Sequence, residues 1–180
     1  MIRKSTINLN YSNTSKLQIL DQFFQEYQVV TNYFINYIWS NNLFSGKFLP
    51  DTKHCSTWLS ARIKQCAAKQ ALSIVKSQRK KKRKVKPEFS GGSIELDSRF
   101  FQLLQDVNSF DIWLKLGSVG NKIKIFLPSK KHRHFNNLVQ DQWKMKNAIR
   151  LRRNEKGLFC DLFLEKSQQL RPKGRTTRLS

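Results

Sequence analysis

Acidic residues are scarce in this sequence. Its 180 residues contain 12 Asp and Glu against 34 Lys and Arg, which gives a net charge of +22. A folded protein with that surplus repels itself unless a polyanion neutralises the charge. The composition therefore predicts a nucleic acid as the partner.

Long apolar runs are absent as well. No stretch approaches the roughly 20 apolar residues that a membrane-spanning helix needs, and the opening segment MIRKSTINLN lacks the apolar core of a secretory signal. We expect no membrane partner and a cytoplasmic, nucleoid-associated location in a prokaryotic cell. A nuclear location is expected only if the peptide KKKRKV at 80–85 acts as a targeting signal.

Cysteines are few, and metal-ligand spacing is missing. Cys55, Cys66 and Cys160 are widely separated and form no CxxC pair, which favours buried free thiols in a reducing compartment. A zinc site built from His132, His134 and Cys160 is disfavoured for the same reason. We expect no metal and no cofactor.

Catalytic motifs are also missing. The sequence has neither a glycine-rich phosphate loop nor a nucleophile motif. Glu95 and Asp97 are one residue apart on a predicted strand, as metal-binding carboxylates sometimes are, but a two-metal nuclease needs more carboxylates nearby. We expect no catalytic residue, and a metal-dependent nuclease using these two carboxylates is the least favoured alternative.

The first half of the chain has a helical pattern. A short strand is predicted over 3–10, and apolar residues then recur every three or four positions over 17–38. A second helix is predicted to start near Ser56 or Thr57, to continue through a basic run and to end at Pro87. We expect the two helices to pack as an antiparallel hairpin.

After Pro87 the pattern changes to short strands. The expected fold class is α+β, a small antiparallel oligonucleotide-binding-like β-barrel with an inserted helical hairpin. The expected division is a first barrel strand (1–15), a helical recognition lobe (16–87), the remaining barrel (88–167) and a basic linker or tail (168–180). Strands are expected near 93–97, 99–104, 110–116, 122–127, 146–152 and 157–165, with a short helix over 134–143.

Basic side chains group at several places, where they could neutralise phosphates, and glutamine can pair with base edges. A solvated polar surface is the alternative for each group. Phe126 and Tyr33 could stack on bases, although aromatic residues at this spacing are more often core. The predicted nucleic-acid-binding residues are Arg3 and Lys4; Arg62, Lys64, Gln65, Lys69 and Gln70; Lys76, Arg79, Lys80, Lys81, Lys82, Arg83 and Lys84; Lys122 and Lys124; and Lys146, Arg150 and Arg152.

The order of these parts resembles the N-terminal half of the TnpB family of RNA-guided transposon nucleases and the related compact type V CRISPR effectors. The segments that carry the resemblance are IRKSTI (2–7), VTNYFINY (30–37), AAKQALSIVK (67–76), IKIFLP (123–128) and GLFCDLFLE (157–165). The resemblance implies a wedge barrel with a helical recognition lobe. In the family these parts hold a guide RNA and its heteroduplex with double-stranded target DNA, and read a short duplex motif beside the target.

This sequence departs from the family at its end. Family members continue into a RuvC nuclease domain with three acidic metal ligands, and no residue here matches those ligands. The resemblance therefore implies a module that binds guide RNA and target DNA without cutting, with a separate RuvC-containing chain as a further potential partner. The alternative is a stand-alone DNA-binding or regulatory protein that uses the 56–86 helix.

Overall fold

A computed structural model describes residues 1–43, 51–106 and 109–166. The predicted α+β composition is confirmed, while the expected tail over 168–180 lies outside the described residues. No described helix is long and apolar enough to span a membrane. The elements are β1 (Ile2–Asn8), α1 (Thr14–Ser40), α2 (Ala61–Arg79), β2 (Ser93–Asp97), β3 (Phe101–Gln105), β4 (Ile112–Gly117), β5 (Lys124–Ser129), α3 (Arg133–Gln140), β6 (Lys144–Asn154) and β7 (Gly157–Glu165).

The expected closed barrel is not supported. The described strands form two antiparallel sheets, one in the order β1-β7-β6-β2 and the other in the order β3-β4-β5. Where β5 approaches β1, Ser129 Oγ donates to the Asn8 carbonyl at 2.7 Å. Pro128 lies in β5 and has no N–H to offer to a further strand, which suits an edge position.

One hydrophobic core joins the helices and both sheets. In β7 the residues Leu158, Cys160, Leu162 and Leu164 alternate along the strand and are all buried, as expected for a strand with one face in the core. Burial of each large apolar side chain contributes about 1.5–3 kcal/mol. The N-terminal strand β1 pairs with β7 over its full length, from Ile2 opposite Glu165 to Asn8 opposite Phe159.

The first helix forms as predicted. The Asn13 side chain accepts a hydrogen bond from the Lys16 amide and caps the N-terminus of α1. Leu20, Phe24, Phe34 and Ile38 are buried along one stripe, which is the face that the three- and four-residue spacing indicates.

The predicted bounds of the second helix are wrong at both ends. It starts at Ala61 because the preceding residues bind the β4–β5 turn: Leu59 bridges to Gly120, and the Ser60 amide donates to Val119 at 2.9 Å. It ends at Arg79 rather than Pro87. Beyond Arg79 the sequence has five consecutive cations at 80–84, whose repulsion disfavours a continued helix.

The expected antiparallel hairpin is also wrong, because α1 and α2 run in the same general direction. Near the start of α2, Thr57 donates to Glu26 in the middle of α1, and at its end Arg79 stacks on Trp39 near the end of α1. Thr57, shortly before α2, therefore lies beside the middle of α1 and not beside its end. The contact of Leu59 and Ser60 with the β4–β5 turn sets the direction of α2.

The strand predictions are close to the structure, and β2 and β7 match it. The predicted strand at 122–127 is shifted: β5 starts at Lys124, while Lys122 lies in the preceding turn with a φ of 55°. The tight turn after Asn154 pairs it with Gly157. The short helix α3 starts at Arg133, one residue before the prediction.

Gly120 provides a test of the docking between α2 and the second sheet. Its φ is +138°, and an added Cβ would overlap the Trp58 carbonyl. We expect Gly120→Ala to lower the free energy of unfolding by about 1–3 kcal/mol, from backbone strain and loss of this contact. Urea denaturation followed by circular dichroism measures the change.

The matched control is Gly92→Ala, whose methyl group would lie 3.7 Å from the Arg153 carbonyl, an ordinary contact. We expect its stability to stay within about 0.5 kcal/mol of the wild type. Equal stability of both variants would contradict the tight docking.

Candidate nucleic-acid interface

The outer face of α2 presents a polar stripe. Arg62, Gln65, Lys69 and Ser73 are all exposed, and their spacing of three and four residues places them in one row along the helix. Cations in such a row can contact phosphates, and an amide between them can reach a base edge. The structure thus brings together three of the five residues predicted on this helix face.

The other two, Lys64 and Gln70, serve the fold. Lys64 Nζ donates to the Cys55 carbonyl at 3.3 Å. Gln70 accepts a hydrogen bond from the Tyr27 hydroxyl at 2.9 Å and donates to the Ser93 carbonyl at 3.4 Å. Burial raises the pKa of the Tyr27 hydroxyl, which therefore remains a donor. Gln70 thus links both helices to β2, and contact of Lys64 and Gln70 with nucleic acid stays a prediction.

The basic run begins inside α2 and continues beyond its end, where it is exposed. Lys76 and Arg79 are both engaged by other groups, Arg79 through a stack 3.9 Å above the Trp39 ring. The following residues 80–84 are exposed. No acidic residue occurs between Asp51 and Glu88, so this part of the chain carries no carboxylate of its own to neutralise its cations.

The three predicted cations of β6 pair with carboxylates. On β6, Lys146 pairs with Glu165 at 3.3 Å and Arg150 pairs with Glu95 at 2.6 Å. Arg150 also lies over the Phe163 ring. The predicted basic face of this strand is therefore a network of opposite charges, which leaves less positive charge available for a phosphate backbone.

A second charged cluster of the first sheet is built around Asp161. Its side chain is fully buried, accepts two hydrogen bonds from Arg152 at 2.8 Å and one from Thr6 at 2.7 Å, and lies 3.6 Å from Lys4. Burial acts to raise the pKa of Asp161, but the hydrogen bonds from Arg152 and Thr6 and the nearby charges hold it below its usual value. Asp161 thereby joins β1, β6 and β7.

The remaining predicted cations are scattered. Arg3 lies over the Trp143 ring at 5.1 Å, on the first strand beside Lys4. Lys122 and Lys124 are exposed near the start of β5. They lie at and just after the β4–β5 turn, which contacts Leu59 and Ser60 immediately before α2.

The carboxylates proposed for a nuclease are both held by arginine. Glu95 pairs with Arg150, and Asp97 accepts hydrogen bonds from Arg99, which lower the pKa of Asp97. A groove of about 440 Å³ lies beside them, lined also by Cys66 and Lys69. Within residues 1–43, 51–106 and 109–166, no three His, Cys, Asp or Glu residues form a group that could hold a metal ion.

The histidines proposed as zinc ligands have structural roles. His132 caps α3: its Nδ1 accepts from the Phe135 amide at 3.2 Å, so Nε2 carries the proton and donates to the Thr6 carbonyl at 2.9 Å. His134 Nε2 lies 3.2 Å from the Lys4 carbonyl. Cys160 is buried in the core, and burial raises its pKa, so its thiol stays protonated and unreactive.

The sequence analysis named Phe126 as a ring that could stack on bases, but it missed the aromatic surface of the second sheet to which this ring belongs. In β4, Ile112, Leu114 and Leu116 are buried, while Trp113 and Lys115 alternate with them and point to the other face. Phe126 of β5 is paired with Lys115 and shares that face. The alternation within 112–117 was the signal that could have revealed this surface, because it separates Trp113 from the core positions.

Asp161 predicts a particular pH dependence. Because its pKa is lowered in the folded state, it stabilises the fold above its unfolded pKa near 4, and this contribution is lost as pH falls through the folded pKa. We expect Asp161→Asn to lower the free energy of unfolding at pH 7 by about 2–3 kcal/mol. The variant is also expected to lose less stability than the wild type between pH 5 and about pH 2, measured by urea denaturation.

Asp97→Asn is the matched control, since it removes the same charge from an ion pair that is partly open to solvent. We expect this substitution to lower the free energy of unfolding by less than about 1 kcal/mol. An acid dependence of Asp161→Asn as steep as that of the wild type would contradict the central role of this carboxylate.

Comparison with known proteins adds no relative to this picture. Neither a scan against protein-family models nor a search of curated proteins finds a match to the sequence.

Proposed function

We propose that this chain is a nucleic-acid-binding module that grips a phosphate backbone through α2 and the basic segment that follows it. The observation that carries the proposal is the charge of residues 61–86. They include eleven Lys and Arg and no Asp or Glu, and the exposed stripe on α2 continues directly into five exposed cations at 80–84.

The distribution of carboxylates supports this proposal. Three acidic residues of the first sheet form ion pairs with its cations: Asp161 and Glu165 lie on β7, and Glu95 lies on β2. The cations that they pair with are Lys4, Lys146, Arg150 and Arg152. Within the described residues no ion pair involves the cations at 80–84, which therefore need an external counter-charge. Neutralisation by phosphates releases condensed counterions and provides the binding free energy.

We propose further that the module holds a guide RNA and double-stranded target DNA, as the resemblance to the TnpB family implies. Two features support this. Helices α1 and α2 are inserted between β1 and the other described strands, and β1 nevertheless pairs with β7, the last of the described strands. In this proposal sequence is read by base pairing while the protein grips backbone and shape, and cleavage belongs to a separate RuvC-containing chain. The module would act in the cytoplasm, associated with the nucleoid.

The RNA-guided role is tested by purifying the tagged chain from its own cells and sequencing the RNA that it retains. We expect one discrete structured RNA, enriched over total RNA and lost on ribonuclease treatment. Retention of a mixture that mirrors total cellular RNA would overturn the guide-RNA role and leave general nucleic-acid binding in place.

The basic segment predicts a measurable change in salt dependence. We expect Lys80→Gln combined with Lys81→Gln to reduce affinity for a 20-base-pair duplex about 10–100-fold near 0.1 M salt. The slope of log affinity against log salt is expected to decrease by about 1.8, because each phosphate contact contributes about 0.9. Fluorescence anisotropy at four salt concentrations measures both quantities.

The control is Lys53→Gln combined with Lys156→Gln, which removes the same charge from two exposed lysines outside the proposed interface. We expect less than a threefold change in affinity from this pair. Equal effects of the two double variants would mean that binding follows net charge rather than the basic segment.

A stand-alone DNA-binding protein is the second candidate, favoured by the position of Gln65 between Arg62 and Lys69 on an exposed helix face. A helix of this kind can enter a major groove, where Gln pairs with adenine. Gel shifts against a randomised duplex library without RNA test it. Selection of one sequence, lost in Gln65→Ala, would support this candidate, whereas a flat preference would exclude it.

A further inference from the structure

The outward face of the second sheet carries aromatic and basic side chains in adjacent rows. Strand pairing aligns Leu104, Trp113 and Pro128 in one row, and Gln102, Lys115 and Phe126 in the next. The opposite face of β4 is fully buried. This outward face therefore carries two half-buried rings, those of Trp113 and Phe126, that are not part of the hydrophobic core.

Two further rings extend this surface beyond the sheet. Phe110 packs edge-on against Trp113 with ring centroids 5.8 Å apart, and Tyr11 lies 5.6 Å from Phe110. Tyr11 is 47% exposed. We call the four rings Tyr11, Phe110, Trp113 and Phe126 the aromatic platform.

Lysines surround the platform. Lys16 Nζ lies 6.0 Å from the centre of the Trp113 ring and donates to the Phe126 carbonyl at 2.7 Å. Lys130 Nζ lies 5.5 Å from the Tyr11 ring, and the exposed Lys124 begins β5. Ammonium groups beside rings combine phosphate contacts with cation–π attraction.

Two carboxylates near Phe110 in the sequence contact Lys131. Its ammonium group lies 2.7 Å from Asp106 and offsets that charge, while its uncharged backbone amide donates to Asp111 at 3.0 Å. The three lysines around the platform outnumber the remaining carboxylate. The surface between the rings therefore has a net positive charge, which suits an anionic ligand with flat, apolar groups.

We infer that the aromatic platform binds unpaired bases of a single-stranded nucleic acid, a specificity that rests on and refines the proposed binding function. Rings stack on bases only when these are free of a complementary strand, because the bases of a duplex already stack on each other inside the helix. The platform shares no residue with the stripe on α2, to which we assign the contacts with the phosphate backbone. The unpaired bases come either from RNA or from a displaced DNA strand.

The experiment compares four fluorescent probes by anisotropy: dT12, U12, an abasic DNA 12-mer and a 12-base-pair duplex. The abasic strand has the same phosphates and no bases, so the ratio of its dissociation constant to that of dT12 isolates stacking. We expect the wild type to bind dT12 at least 10-fold more tightly than the abasic strand. A similar gain for U12 would mean that both sources fit, and a gain for one strand alone identifies the source.

The decisive variant is Tyr11→Ala, because this ring is the most exposed of the four and its loss leaves the core intact. We expect it to weaken dT12 or U12 binding roughly 10-fold and to leave the abasic strand and the duplex within twofold of the wild type. Tyr11→Phe retains the ring and should bind as the wild type does. Tyr37→Ala, an exposed tyrosine on α1, is the matched control and should change nothing.

The outcomes separate the two proposals. A wild type that binds dT12, U12 and the abasic strand equally, or a Tyr11→Ala variant indistinguishable from the wild type on every probe, would overturn the platform and leave backbone binding through α2 standing. Failure of the wild type to bind any of the four probes would overturn the proposed function itself.

Discussion

The chain has 12 carboxylates and 34 cations. The positions at which the carboxylates form ion pairs determine much of the architecture. Asp161 gathers Lys4, Thr6 and Arg152 and so joins three strands of the first sheet. Glu95 ties β2 to β6, and Glu165 ties β7 to β6. Each contact lowers the repulsion that would otherwise separate neighbouring basic strands. Residues 61–86, in contrast, contain no carboxylate that could offset their cations.

The parts of the fold with a strict period were predictable from the sequence. The alternation in 157–165 predicts β7 because one face of the strand is in the core, and the spacing over 17–38 predicts α1 for the same reason. The direction of α2 was not predictable. It depends on the contact of Leu59 with Gly120, a tertiary interaction between residues 61 positions apart, which leaves no periodic signal. The end of α2 was obscured because a run of identical charges has no apolar face that could mark where the helix stops.

The candidate interface was predictable as a charge surplus but not residue by residue. Sequence places Lys64 and Gln70 on a polar helix face, whereas the structure uses both for hydrogen bonds inside the fold. Whether a polar side chain faces solvent or a backbone carbonyl depends on neighbours that are distant in the chain. The aromatic platform shows the same limit, since the contact of Tyr11 with Phe110 joins residues 99 positions apart.

The pairing of β1 with β7 has a consequence for synthesis. β1 is an edge strand whose one sheet neighbour in the described structure is β7, so during synthesis β1 has to wait for a partner that lies far later in the chain. At about 5–20 residues per second, roughly 10–30 s pass between the emergence of Ile2 and that of its partner Glu165. During this interval α2 and its basic extension are already outside the ribosome while the first sheet still lacks a strand. The basic segment at 80–84 is therefore exposed to the cell before the first sheet is complete.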